Sequence, residues 1–250
     1  VNINAGTSIE NLPFRRQGIA ARAAYSYDDK YLVEFDMGYN GSENFPKGKR
    51  FGFFPSISAG WVPSGEKFWG ENNVVNNLKI RGSYGQVGND QIGRRFLFLT
   101  TVNTRTAQGY AFGESQQFWP GIDELQIGTP NVTWEVATKA NIGLDLGMFN
   151  NKLVLQIDAF AEDRDGILLQ RGVMPDAAGF MPASIPFGNL GKAKNRGIDG
   201  MLEIKNNVAN GLFYSFRANV TYARNTVIEN DEPPQRYAYQ SAKGHPIDQP

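Results

Sequence analysis

Ile19-Ala20-Ala21-Arg22-Ala23-Ala24-Tyr25-Ser26-Tyr27-Asp28-Asp29-Lys30-Tyr31-Leu32-Val33-Glu34-Phe35-Asp36-Met37-Gly38-Tyr39 carries the clearest structural signal in the chain. Up to Tyr27, the residues Ile19, Ala21, Ala23, Tyr25 and Tyr27 fall on one face, and Ala20, Arg22, Ala24 and Ser26 on the other. After Asp28-Asp29-Lys30, alternation resumes with Tyr31, Val33, Phe35, Met37 and Tyr39 against Glu34, Asp36, Gly38 and Asn40. A helix, with a period of about 3.6 residues, would mix these sets on every face, whereas a strand separates them. The stretch predicts two antiparallel strands joined by a tight turn.

The same period returns downstream. Phe53, Ile57, Ala59 and Trp61 oppose Ser56, Ser58 and Gly60, and Leu78, Ile80 and Tyr84 oppose Lys79, Arg81 and Ser83. Trp134, Val136, Ala140, Ile142, Leu144 and Leu146 alternate with Glu135, Lys139, Asn141 and Asp145. Leu153, Leu155, Ile157, Ala159 and Ala161 alternate with Gln156, Asp158 and Glu162, and Ile198, Leu202 and Ile204 with Asp199, Glu203 and Lys205. Tyr214, Phe216, Ala218, Val220 and Tyr222 oppose Ser215, Arg217, Asn219 and Thr221. That makes about eight strands of roughly 9 to 13 residues, with no helix of comparable clarity. The chain reads as all-β.

Composition narrows what such a sheet could do. With 250 residues, 41% hydrophobic and 20% charged, the chain is neither a disordered tail nor a low-complexity filament. Lys plus Arg is 25 and Asp plus Glu is 25, so no electrostatic case exists for nucleic acid as a partner. Cysteine is absent, which removes disulfides and thiolate metal sites. No run approaches the roughly 18 to 20 apolar residues of a membrane helix. The chain opens Val1-Asn2-Ile3-Asn4, without Met or a signal segment. It is therefore either cytoplasmic or the interior of a longer secreted chain.

Alternation does not say which face is wet. A sandwich hides its apolar face in a core, and a membrane barrel shows it to lipid. Three features favour the barrel. The strands match the roughly 9 to 11 residues that a tilted membrane strand needs. Short connections (Asp28 to Lys30, Met148 to Lys152, Asn206 to Gly211) alternate with long ones (Gly41 to Gly52, Asn89 to Thr133, Asp165 to Lys194). Outer-membrane barrels have that rhythm of tight periplasmic turns and long outer loops, although Val62 to Asn77 is longer than a tight turn. Finally, Tyr25, Tyr27, Tyr31, Tyr39, Trp61, Trp134, Tyr214 and Tyr222 sit near strand ends on the apolar face, as in an interfacial girdle. Aromatics are also good strand formers, so a soluble β-sandwich carbohydrate-binding module remains the alternative on pattern alone.

Three stretches resemble the SusC/RagA family of TonB-linked outer-membrane proteins. They are Arg22 to Trp61, with Tyr25-Ser26-Tyr27-Asp28-Asp29-Lys30-Tyr31-Leu32, Asp36-Met37-Gly38-Tyr39-Asn40-Gly41-Ser42-Glu43-Asn44-Phe45 and Phe51-Gly52-Phe53-Phe54-Pro55-Ser56; Asn77-Leu78-Lys79-Ile80-Arg81-Gly82-Ser83-Tyr84-Gly85-Gln86-Val87-Gly88-Asn89; and Thr133-Trp134-Glu135 through Asn141-Ile142-Gly143-Leu144-Asp145. Weaker echoes lie at Asn189-Leu190-Gly191-Lys192, Asn195-Arg196-Gly197 and Tyr222-Ala223-Arg224-Asn225. The resemblance implies an outer-membrane nutrient importer, not an enzyme, built on a plugged barrel of about 22 strands. It implies outer-membrane lipid around the barrel and a SusD-like surface lipoprotein over it. A TonB complex would act through the N-terminal region, and the cargo would be a glycan or peptide. On this reading residues 1–250 are part of the barrel domain, starting in one outer loop and ending near His245-Pro246-Ile247 in another. The plug and signal peptide would then lie outside the sequence.

Other constellations have simpler readings. Glu162, Asp163 and Asp165 could bind calcium or serve as glycosidase carboxylates, but nothing places an opposing carboxyl about 5 to 10 Å away. Gly188-Asn189-Leu190-Gly191-Lys192 lacks phosphate-loop spacing, and Ala193 stands where Ser or Thr would follow. His245, the only histidine, sits in a Gly-His-Pro turn, and no cofactor or metal is expected. The connection from Asn89 to Thr133 carries Phe96, Phe98, Tyr110, Phe112, Phe118 and Trp119. These rings are the candidate substrate contacts, since ligand pockets favour aromatics flanked by a few polar groups. Loop-on-loop packing, or packing against a lipoprotein cap, is the alternative.

Overall fold

A computed structural model describes residues 13–70, 74–91, 93–104, 109–175, 177, 179, 182, 184–208 and 211–247. Twelve strands run in chain order: β1 (Arg16–Tyr27), β2 (Tyr31–Ser42), β3 (Phe51–Trp61), β4 (Val75–Asn89), β5 (Thr101–Asn103), β6 (Gly109–Phe112), β7 (Gln117–Pro120), β8 (Asp123–Gln126), β9 (Glu135–Met148), β10 (Leu153–Gln170), β11 (Phe187–Val208) and β12 (Leu212–Glu229). Eight form one antiparallel sheet in the order β1-β2-β3-β4-β9-β10-β11-β12, and β5–β8 and β6–β7 make two small two-stranded sheets. The eight long strands are therefore sequence neighbours in a meander, with β5 to β8 as an excursion between β4 and β9. Strands β1 and β12 do not pair, so the sheet is open, as a section of a large barrel requires.

The turns explain the short connections. Asp28 and Asp29 both have φ of 52°, and the Lys30 amide donates to the Tyr27 carbonyl at 3.0 Å. Positive φ at both central positions is the hairpin geometry that matches strand twist, and Asp tolerates it through its short polar side chain. Asn150 and Asn151, both at φ 58°, turn β9 into β10 the same way. The longer connection after β3 contains a 3-10 turn at Pro63–Gly65. There Ser64 accepts from the Leu78 amide at 3.0 Å and tucks the turn against the start of β4.

Register carries the alternation across the whole sheet. Tyr25, Val33, Ala59, Gly82, Ile142, Ala159, Ile198 and Tyr222 are consecutive partners from β1 to β12. One step over, Ala24, Glu34, Ser58, Ser83, Asn141, Phe160, Gly197 and Ala223 form the neighbouring row on the opposite face. Val33, Ile142, Phe216 and Tyr222 are all largely exposed, Ile142 at 63%. No second sheet among the described residues covers the apolar face. An uncovered face of this breadth far exceeds the apolar patches that water-soluble monomers expose.

The buried core lies elsewhere. Phe45, Leu97 and Val132 are fully buried, with Phe98, Trp134, Leu168 and Phe187 packed against them. These residues come from the β2–β3 and β4–β9 connections and the adjoining ends of β10 and β11, so this core is at the long-loop end.

Two expectations need correction. Trp134 does not join the aromatic girdle of the apolar face. It precedes β9, its ring centroid is 5.1 Å from that of Phe45 and 5.2 Å from that of Phe54, and its indole N–H donates to the Arg50 carbonyl at 3.1 Å. Burial against two rings and a satisfied donor outweigh strand parity at a position with no strand partner. The connection expected from Asp165 to Lys194 is also shorter, because β10 continues to Gln170 and β11 begins at Phe187. A register shift around Gly166, at φ +70°, interrupts the alternation there, which hid the extension. Asn189 clamps the irregularity: its side-chain amide donates to the Gly166 carbonyl at 2.7 Å and the Thr133 carbonyl at 2.9 Å, and its carbonyl accepts from the Thr133 amide at 2.9 Å.

Candidate functional site

The polar face is lined with charges of both signs that pair locally. Arg22 meets Asp36 at 2.6 Å and Glu34 at 3.5 Å, and Arg217 meets Glu203 at 3.0 Å. Arg164 bridges Glu135 at 3.1 Å and Glu162 at 2.8 Å, and Glu162 also meets Lys139 at 3.3 Å. Glu162 is thus the partner of two cations. Among the described residues no group of three or more His, Asp or Glu side chains is arranged to hold a metal.

One more of these networks depends on a glycine. Arg81 on β4 and Asp158 on β10 are separated by Gly143 on β9 in one cross-strand row. The Arg81 guanidinium passes over Gly143 and donates to Asp158 Oδ2 at 2.6 Å and Asp145 Oδ1 at 3.2 Å. A Cβ at position 143 would lie 2.6 Å from Asp158 Oδ1 and 2.7 Å from Arg81 Cζ. Gly143→Val should therefore displace the guanidinium and destabilise the sheet by about 1–3 kcal/mol, the usual cost of overpacking. The check is the temperature at which the full-length protein loses its compact, heat-modifiable gel band. An unchanged temperature would show that the Arg81 bridge contributes nothing.

The six candidate rings fall into two groups. Phe96 and Phe98 lie at the base of the β4–β9 excursion with ring centroids 6.0 Å apart, edge to face. Phe96 is buried, and the Arg95 guanidinium lies 4.8 Å from its ring centroid. Phe98 packs on the Phe45–Leu97–Val132 cluster. Gln126 ties this base by donating to the Phe96 carbonyl at 3.1 Å and the Leu99 carbonyl at 3.0 Å. The other four rings ride the β6–β7 hairpin, which is nested inside β5–β8. Tyr110 faces Trp119 across the hairpin, and Phe112 shares their side, its ring centroid 6.3 Å from that of Tyr110. Phe118 pairs with Ala111 on the opposite side. All four are more than half exposed. The arrangement is a projecting arm, apolar on both sides, on a base held by Phe96 and Phe98.

Sequence reasoning did not find the loop core, because Phe45, Leu97 and Val132 are far apart in the chain and none lies in a periodic segment. It also missed an anchored turn beyond β12. The Glu232 carboxylate accepts from the Ser241 hydroxyl and from the Ala242 amide at 3.0 Å. Those hydrogen bonds, Ser241 foremost, hold its pKa below the ordinary glutamate value.

Comparison with known proteins agrees with this geometry. The model of the family described as TonB dependent receptor-like, beta-barrel matches residues 2–250. The TonB-dependent receptor SusC of Bacteroides thetaiotaomicron is 31% identical over 210 residues, covering 83% of this chain and 20% of that protein. The TonB-dependent receptor P39 of Formosa agariphila is 29% identical over 209 residues, covering 84% and 19%. Among solved structures, the RagAB peptide importer in its closed-closed state superposes with a TM-score of 0.73 at 24% identity, covering 87% of this chain and 22% of that one. The chain spans about a fifth of the length of the curated relatives it matches. These relatives are receptors rather than enzymes, and nothing in the comparisons supports a soluble carbohydrate-binding sandwich. An open sheet with one uncovered apolar face, one charged face and a match along nearly its whole length places the chain in the TonB-dependent receptor-like β-barrel family, among its SusC/RagA-type members.

Proposed function

We propose that this chain forms wall and outer loops of an outer-membrane, TonB-dependent importer of oligosaccharides or peptides. The observation that carries the reading is the division of faces: Tyr25 to Tyr222 form an unbroken uncharged row on one face, while the other carries paired Arg, Lys, Asp and Glu. Such a sheet suits lipid on one side and a wet lumen on the other. SusC and RagAB are named as a TonB-dependent receptor and a peptide importer, which supports the same activity here. Residues 1–250 all belong to the barrel domain on this reading. A SusD-like lipoprotein caps the loop end, and a TonB complex acts through a separate N-terminal region. The rings of Tyr110, Phe112, Phe118 and Trp119 contact cargo or the cap, and Phe96 and Phe98 set the angle of the arm that carries them. A deletion strain and its complemented parent, grown on panels of oligosaccharides and oligopeptides, test the reading. Import predicts lost and restored growth on at least one panel member, and identical growth on all of them would remove it.

Orientation is testable in the same full-length protein. The 250 residues contain no cysteine, so single cysteines at Gln117 on the arm and Asn150 in the β9–β10 turn report cleanly in an otherwise cysteine-free background. A membrane-impermeant thiol reagent on intact cells should label Gln117→Cys and spare Asn150→Cys. The reverse pattern would invert the barrel.

A further inference from the structure

The apolar face bears charge only on β10, β11 and β12, towards the loop end, where Asp163 and Asp165 of β10 share it with the cations of β11 and β12. From β1 to β9 every position on that face between the strand ends is apolar, aromatic, small or uncharged polar. On β11 and β12 the sequence of outward residues changes abruptly: above Ile198 come Arg196 and Lys194, and above Tyr222 comes Arg224. Arg196 and Arg224 are direct cross-strand partners, and Lys194 is two residues from Arg196 and opposite Thr226. These residues, with Thr226 and Ile228, line a shallow concavity of about 360 Å³.

Three cations side by side are unfavourable unless something answers them, because like charges directly opposite in a sheet repel. Within the described residues no acid lies opposite Arg196 or Arg224, whose cross-strand partners are each other and, for Arg196, Ala161. None of Lys194, Arg196 and Arg224 makes an ion pair or side-chain hydrogen bond, and all three are exposed. Asp163, the neighbour of Lys194 on β10, leaves its buried Oδ1 without a partner. Pairing it with Lys194 would still leave both guanidinium groups unanswered. The next charges towards the loop end behave differently: Lys192 meets Glu229 at 3.3 Å and Asp165 at 4.0 Å, so that row is balanced from within the protein.

Height supplies the second argument. From Tyr214 to Arg224 along β12, a rise of about 3.4 Å per residue on a strand tilted by about 40° gives roughly 26 Å. An outer-membrane barrel has an apolar band about 25 Å tall. The cations therefore sit where hydrocarbon gives way to headgroups on the long-loop side, just above the ring of Tyr222. We propose that Lys194, Arg196 and Arg224 form a binding site for the phosphorylated headgroup of an outer-leaflet lipid. The two guanidinium forks would take phosphate oxygens bidentately and the Lys194 ammonium would act as a point charge. The acyl chains would lie down the apolar face over Ile198 and Tyr222. The inference rests on the outer-membrane barrel reading above.

The test uses delipidated, detergent-purified full-length protein and two probes: outer-membrane lipid A carrying its phosphates, and the same lipid A after phosphatase treatment. Binding is read by native mass spectrometry and titration. Replacing all three cations (K194Q, R196Q and R224Q together) should weaken binding of the phosphorylated probe about a hundredfold, from roughly 1 kcal/mol per cation near an anionic headgroup. The dephosphorylated probe should bind wild type and variant alike. R196Q alone should lose about fivefold, and R196K, which keeps the charge but not the bidentate fork, should lose less than R196Q, which keeps the test informative if the triple variant folds poorly. Equal binding of the phosphorylated probe to wild type and to a folded R196Q or triple variant would overturn the proposal. Displacement of lipid A by millimolar inorganic phosphate would overturn it too, by showing a free-anion site. Those outcomes leave the barrel intact. A wild-type protein with neither outer-membrane fractionation nor a heat-modifiable band would instead remove the barrel reading, and this site with it.

Discussion

Ile142→Arg in the full-length protein should fold far less well than Asn141→Arg, although the two positions adjoin. Ile142 lies mid-strand on β9 between Gly82 and Ala159, in the row that runs from Tyr25 to Tyr222 without a charge. An arginine there would have only uncharged direct cross-strand neighbours, Gly82 and Ala159. At a lipid-facing midplane position it costs about 2–4 kcal/mol. Asn141 lies between Ser83 and Phe160 on the opposite face, close to the row where Arg81 already bridges Asp145 and Asp158. An added cation there meets water and existing acids. The measurement is the fraction reaching the heat-modifiable form when refolded into bilayers. Equal yields, or the reverse order, would mean that the faces are exchanged.

Phe45→Ala should loosen the outer loops while leaving the barrel wall folded. Phe45 is fully buried with Leu97 and Val132, and the Trp134 ring lies tilted against it with centroids 5.1 Å apart. Truncating a buried Phe typically costs about 3–5 kcal/mol, as lost transfer energy plus the cavity left behind. Here the loss falls on a small cluster that ties the β2–β3 connection to the β4–β9 excursion, so local opening is the cheaper response. Protease added to intact cells should cut between the ends of β4 and β9 much faster in Phe45→Ala than in wild type, with the heat-modifiable band unchanged. Tyr110→Ala, on the exposed arm, serves as the control and should be cut at the wild-type rate. Unaltered proteolysis of Phe45→Ala would mean that this cluster does not hold the arm.

The cluster also supports the exposed arm. Phe96 and Phe98 are part of the base from which the β6–β7 arm projects, and Thr129 and Gln126 fasten that base by hydrogen bonds to Phe187, Phe96 and Leu99 carbonyls. A mutation in the cluster would thus move the exposed rings without touching them. Separating contact from support requires comparing Trp119→Ala, which removes a ring, with Phe45→Ala, which frees the arm.

The alternating segments were legible in the residues alone because a two-residue period needs only local information. Ile19 to Tyr39, Leu78 to Tyr84, Leu153 to Ala161 and Tyr214 to Tyr222 each show their two faces without reference to a neighbour, and the register of the sheet then aligns those faces. The Asp28-Asp29 and Asn150-Asn151 turns were readable for the same reason, since a short polar side chain next to its own backbone is what makes positive φ tolerable. The loop end and the contacts that cross between strands were decided by tertiary structure. There β10 and β11 continue through a register shift at Gly166, held by an Asn189 side chain 23 residues away. Trp134 leaves its strand parity for Phe45 and Phe54, and Arg81 reaches Asp158 only because β9 presents Gly143 between them. Lys194, Arg196 and Arg224 become a cluster only once β11 and β12 are in register. Each of these is a contact between segments distant in sequence, and its energy comes from burial, charge pairing or charge crowding in space. No local period records such contacts.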